Sequence, residues 1–94
     1  MFKSWAELST FFDDGDQIVL NKMATFDLPI PEYLETAIKK SDEGNDILMS
    51  WPSKDVLICQ QDTSDRTIDY FESKGWRAYR FYDIDFDKLK GELN

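Results

Sequence analysis

The chain has 94 residues, with 11 Lys and Arg against 19 Asp and Glu, a net charge of −8, one cysteine and no histidine. A chain of this length buries only a little over ~60% of its unfolded surface, which suits one small domain and leaves no room for a second core. The acidic balance is opposite to what a direct DNA or RNA binder carries, and the missing histidine removes the Ser-His-Asp and Cys-His arrangements, the imidazole acid or base and most catalytic zinc sites.

In chain order, "KSWAELSTFF" repeats Trp5, Leu8 and Phe12 at helical spacing and predicts a short amphipathic helix. It mixes charge with apolar residues, so it is no cleaved export signal, and no later stretch approaches the roughly 18 apolar residues of a membrane span. The expectation is a soluble, cytoplasmic protein with no membrane partner. "DDGD" stops the helix and leaves Asp13, Asp14 and Asp16 near its C-terminal end, where the macrodipole repels anions. On that reading something other than local helix stability accommodates them.

"QIVLNK" reads as a short strand. "LPIPEYLETAIKKSDEG" then predicts a helix, with Pro31 in the first turn, Glu32 and Glu35 early, Lys39 and Lys40 late, Gly44 beyond the end, and an apolar stripe of Ile30, Leu34, Ala37 and Ile38. The apolar runs "DILMSW" and "DVLICQ", separated by "PSK", read as a hairpin of central strands buried on both faces. Cys59 falls inside the second run, so it is expected to be a buried small hydrophobe of a reducing compartment.

"DTSDRTIDYFESKG" predicts a helix with Thr63 or Ser64 as N-cap, Ile68 and Phe71 on the core stripe, and Gly75 at the exit. "WRAYRFYD" predicts the last strand, and "DKLKGEL" a short closing helix. The order helix, strand, helix, strand, strand, helix, strand, short helix implies an α+β fold: one compact domain over residues 1–94, with a mixed four-stranded sheet packed with two or three helices.

The passage "TIDYFESKGWRAYRFYD" is similar to a helix–glycine–strand unit near the end of restriction-endonuclease-like nucleases and of many other α/β units. Those nucleases need an acid on a hairpin strand followed closely by a glutamate and a lysine, to hold magnesium and a water. Cys59, Gln60 and Gln61 stand at those places here, so the likeness implies no cutting. No glycine-rich phosphate loop occurs either, since Gly15, Gly44, Gly75 and Gly91 lie well apart.

Asp83, Asp85 and Asp87 alternate as in a calcium loop. The position that needs glycine is Lys88, however, and the one that needs a bidentate glutamate is Asn94. The plainer reading is that Asp85 or Asp87 caps the closing helix. No metal, cofactor or catalytic residue is expected.

Two surfaces could carry binding. Residues 41–69 hold Asp42, Glu43, Asp46, Asp55, Asp62, Asp65 and Asp69 against Lys54 and Arg66 alone, and Asp13, Asp14 and Asp16 form a second cluster. Solubility and turn chemistry account for many such acids. The sharper reading is a face formed by Asp13, Asp14, Asp16, Asp42, Glu43, Asp46, Asp62 and Asp65 that docks on a basic, nucleic-acid-handling protein, as small phage and mobile-element inhibitors do.

The aromatics, 3 Trp, 4 Tyr and 7 Phe, support the alternative of a regulatory or structural subunit, immunity proteins and antitoxins included. It would bind its protein partner through Trp51, Trp76, Tyr79 and Tyr82. Trp51, beside Pro52, would either close the core or project as an anchor. A carboxylate- or metal-dependent enzyme ranks last.

Overall fold

The computed structural model describes residues 4–10, 12–34 and 47–94. They form two compact units, Met1–Ile30 with Asp85–Asn94, and Pro31–Ile84. The fold class is α+β, with a mixed four-stranded sheet.

The first unit is helical: α1 (Trp5–Ser9), α2 (Gln17–Thr25) and α4 (Phe86–Leu93). Ser4 caps α1 by accepting from the Glu7 amide at 3.1 Å, and Trp5 donates its indole N–H to the Leu28 carbonyl at 2.8 Å, so its large apolar body is buried with its one polar atom satisfied. Asp85 caps α4 by accepting from the Lys88 amide at 3.1 Å, as the acid spacing suggested. Stacking of Phe26 on Phe86, with centroids 5.3 Å apart, joins the exit of α2 to the start of α4.

"QIVLNK" is not a strand. Val19, Leu20 and Met23 are buried while Ile18, Asn21 and Lys22 are exposed, which is the 3.6-residue period. Six residues ending at Lys22 omit Met23, the position that separates helix from strand. A 3₁₀ turn at Asp14–Asp16 leads directly into α2.

The second unit holds β1 (Tyr33–Leu34), β2 (Ile47–Trp51), β3 (Val56–Cys59), α3 (Asp65–Ser73) and β4 (Arg77–Arg80). The sheet order is β1-β2-β3-β4, antiparallel except for the parallel β3–β4 pair. Tyr33 and Leu34, expected in the first turns of a helix, pair with Ser50 and Met49 instead. The Glu32 carboxylate receives the Ser53 amide and the Ser53 hydroxyl, so this acid fastens the β2–β3 turn and does not serve a helix dipole. The rest of the predicted helix, including Glu35, Ala37, Ile38, Lys39, Lys40 and Gly44, lies outside the described residues.

The β2–β3 hairpin forms as expected, through a 3₁₀ turn at Pro52–Lys54 and a left-handed Asp55 with φ 56°. Both its faces are buried. Met49, Trp51, Val56 and Ile58 occupy one, while Ile47, Leu57 and Cys59 occupy the other beside Phe71, with Ile68, Trp76 and Ala78 packed at the margin. The Cys59 thiol is buried 3.3 Å from the Tyr79 carbonyl, a weak hydrogen bond within the core.

Ser64 caps α3, accepting from the Thr67 amide at 3.2 Å. At the other end the Trp76 amide donates to the Phe71 carbonyl and the Gly75 amide to that of Glu72, at 3.1 and 3.0 Å, around a Gly75 φ of 93°. This is a Schellman motif, and Trp76 and Phe71 supply its usual apolar contact.

A Cβ at Gly75 would meet nothing within 4 Å, so the cost of Gly75→Ala is the backbone conformation alone. Urea unfolding is expected to show a loss of about 1 kcal/mol. Trp51 is 2% exposed, so Trp51→Ala should cost about 3–5 kcal/mol in the same experiment.

Candidate functional site

Because β3 and β4 run parallel with α3 between them, their C-terminal ends and the N-terminal end of α3 come together. Ligands and partners commonly meet α/β units at this end. The chain leaves β3 through a turn closed by the Thr63 amide on the Gln60 carbonyl at 3.1 Å, and leaves β4 through Phe81, Tyr82 and Asp83.

Arg80 ties these segments. Its Nε donates to the Thr63 carbonyl at 2.9 Å and its Nη2 to Asp65 Oδ1 at 2.6 Å. Gln61 bridges the two loops alongside: its amide nitrogen donates to Asp83 Oδ2 at 2.8 Å, and its carbonyl oxygen accepts from the Tyr82 amide at 2.8 Å. Thr63 is buried and its hydroxyl has no hydrogen-bond partner among the described residues. It stands just before the N-cap and five residues before Ile68, the spacing of a hydrophobic staple.

The Arg80–Asp65 contact shows which flank of the helix faces β4. Ile68 and Phe71 turn toward the sheet; at 100° per residue, Asp65, Asp69 and Glu72 then share the flank on the β4 side. All three are exposed. The opposite flank carries Tyr70 and Lys74, whose ammonium lies 5.6 Å from the Tyr70 ring centroid. Asp62, also exposed, continues the acids past the start of the helix.

The residues singled out in the sequence divide accordingly. Asp62 and Asp65 lie at this end of the second unit. Asp13, Asp14 and Asp16 belong to the first unit, at the N-terminal side of α2. There the helix dipole attracts anions, which reverses the expected repulsion and gives these acids a local reason to be where they are. Asp42, Glu43 and Asp46 lie outside the described residues.

Among the aromatics, Trp51 is core, Trp76 is half-buried against the α3 cluster, Tyr79 is half-buried on the other face of the sheet, and Tyr82 is 53% exposed. Tyr33 and Tyr70, which the strand pattern did not single out, are also exposed. Asp69, counted among the acids of 41–69 but left out of the predicted face, and Glu72 were both missed as acids of this face, although the Asp65, Asp69, Glu72 spacing of four and three residues marks one helix stripe.

Asp83 is engaged by Gln61, Asp85 by the Lys88 amide, and Asp87 sits in the first turn of α4. Among the described residues no group of three or more Cys, Asp or Glu side chains is arranged to hold a metal ion.

The Asp65 side chain is 93% exposed and that of Arg80 27%. Asp65→Asn is therefore expected to cost under about 1 kcal/mol, and less in high salt. Arg80→Met also abandons the Thr63 carbonyl and should cost more, about 1–2 kcal/mol by urea unfolding. Comparison of the chain with protein-family models, with curated proteins and with solved structures finds no match.

Proposed function

We propose that this chain is a small, acidic, non-catalytic binding protein of the cytoplasm that docks a negatively charged face on a basic, nucleic-acid-handling protein, as a phage or mobile-element anti-defence inhibitor does. The observation that carries the reading is the exposed row Asp65, Asp69 and Glu72 along one flank of α3, with Asp62 beside it, in a chain of net charge −8. Carboxylates held on a rigid helix lose little freedom on binding, and their field steers a cationic partner before contact. A groove that normally takes a phosphate backbone presents the Lys and Arg such a face would meet. Among the described residues no helix is long and apolar enough to cross a membrane.

Exposed Tyr82 favours the second reading, a regulatory or structural subunit with an aromatic contact surface. Burial of Trp51 narrows that surface to Tyr82 and the half-buried Trp76 and Tyr79.

Salt separates the two. Immobilised chain exposed to a bacterial lysate and washed at about 50 and about 500 mM salt should retain a basic nucleic-acid enzyme at the first concentration and release it at the second, because screening shortens the reach of exposed charges. The quadruple variant Asp62→Asn, Asp65→Asn, Asp69→Asn, Glu72→Gln should capture that protein at least about tenfold less well at low salt. A partner kept through the high-salt wash and lost with Tyr82→Ala would contradict the acidic reading and support the aromatic one.

A further inference from the structure

β4 ends the sheet, and among the described residues β3 is its one strand neighbour. The Arg77 amide donates to the Asp55 carbonyl and the Phe81 amide to that of Cys59, at 2.8 and 3.0 Å. By the alternation of a strand, the N–H and C=O of Ala78 and the N–H of Arg80 are directed away from β3, to the side where the described residues place no further strand. The acidic flank of α3 lies on the same side, as the Arg80–Asp65 contact shows. Two independent features, a row of outward backbone groups and a row of carboxylates above it, therefore meet along one edge.

We propose that the edge of β4 is a docking strand for an extended basic segment of a protein partner, which adds to the sheet by backbone pairing while Asp69 and Glu72 meet its Lys or Arg side chains. The proposal rests on the reading of the chain as an acidic binder of a basic protein and supplies its mode of contact. A second copy of this chain is a poor occupant, because a two-fold edge-to-edge pairing turns the Asp69 and Glu72 flanks of the two α3 helices toward one another, and two chains of net charge −8 repel. In a basic segment the period of two places cations at alternate positions on the face toward α3, within reach of long side chains that keep their charged ends at the surface. Arg80 is already offset by Asp65, which leaves Asp69 and Glu72 to meet the incoming charge.

The test uses the whole chain and a labelled peptide of about nine residues alternating lysine and threonine, with a twin N-methylated at alternate backbone positions so that it cannot pair on one edge. The expected result is binding at low salt that slows amide exchange at Ala78 and Arg80 by about tenfold or more. The N-methylated twin should fail, and Asp69→Asn with Glu72→Gln, both exposed helix positions that leave the fold intact, should weaken binding by roughly tenfold. A peptide that does not bind, that binds equally well when N-methylated, or that leaves Ala78 and Arg80 exchanging as before overturns the docking strand. The broader reading fails separately, when the lysate capture shows no salt-sensitive basic partner.

Discussion

The parallel pairing of β3 with β4 is the constraint on which the second unit depends. Parallel neighbours cannot be joined by a tight turn, so the chain must cross back over the sheet, and α3 makes that crossing. Its apolar stripe is narrow: Phe71 is buried and Ile68 partly so, and with Trp76 just past the helix they meet Ile47, Leu57, Cys59 and Ala78. The crossing can end abruptly because Gly75 adopts a left-handed conformation that returns the chain at Trp76, with the Phe71 carbonyl capped by the Trp76 amide. The same residue, Phe71, thus packs the helix on the sheet and anchors its C-terminal turn.

The distribution of charge follows from this arrangement. A helix laid over two strands shows one flank to the sheet's edge, and that flank carries Asp65, Asp69 and Glu72. Arg80 reaches up from β4 to the first of them and to the Thr63 carbonyl, so one cation both neutralises part of the row and fastens the start of the helix. In the first unit, Asp13, Asp14 and Asp16 sit where the dipole of α2 favours them. On α3, Asp65 has the same local reason in the first turn and a partner in Arg80, whereas Asp69 and Glu72 lie beyond that turn and have neither.

Much of this was legible in the sequence where a signal is local and complete. Caps narrowed to Thr63 or Ser64 and to Asp85 or Asp87, between which the structure selects Ser64 and Asp85, Gly75 as the exit of α3, the "PSK" hairpin and the buried Cys59 each follow from a few neighbouring residues with a definite backbone role. The total of four strands was also anticipated, but through two errors that offset one another. "QIVLNK" is α2, because its helical period closes only at Met23. Tyr33–Leu34 is β1, because pairing with Ser50 and Met49 outweighs the helix-start signals of Pro31 and Glu32. The acidic flank was half legible: the count of acids was plain, but its side relative to β4 depends on the Arg80–Asp65 contact, which joins residues 15 apart in sequence. Trp51 read equally well as core or anchor, since a large aromatic beside a turn does both jobs in different folds; its 2% exposure places it in the core.

The account stands on β4 being, among the described residues, an edge strand beside the acidic flank of α3. Amide hydrogen exchange of the unbound chain, resolved residue by residue along β4, tests this most directly. Arg77, Tyr79 and Phe81, whose N–H groups face β3, should exchange at least about tenfold more slowly than Ala78 and Arg80, whose N–H groups face outward. Uniform protection across all five residues would mean that the edge is already covered, and would contradict the account.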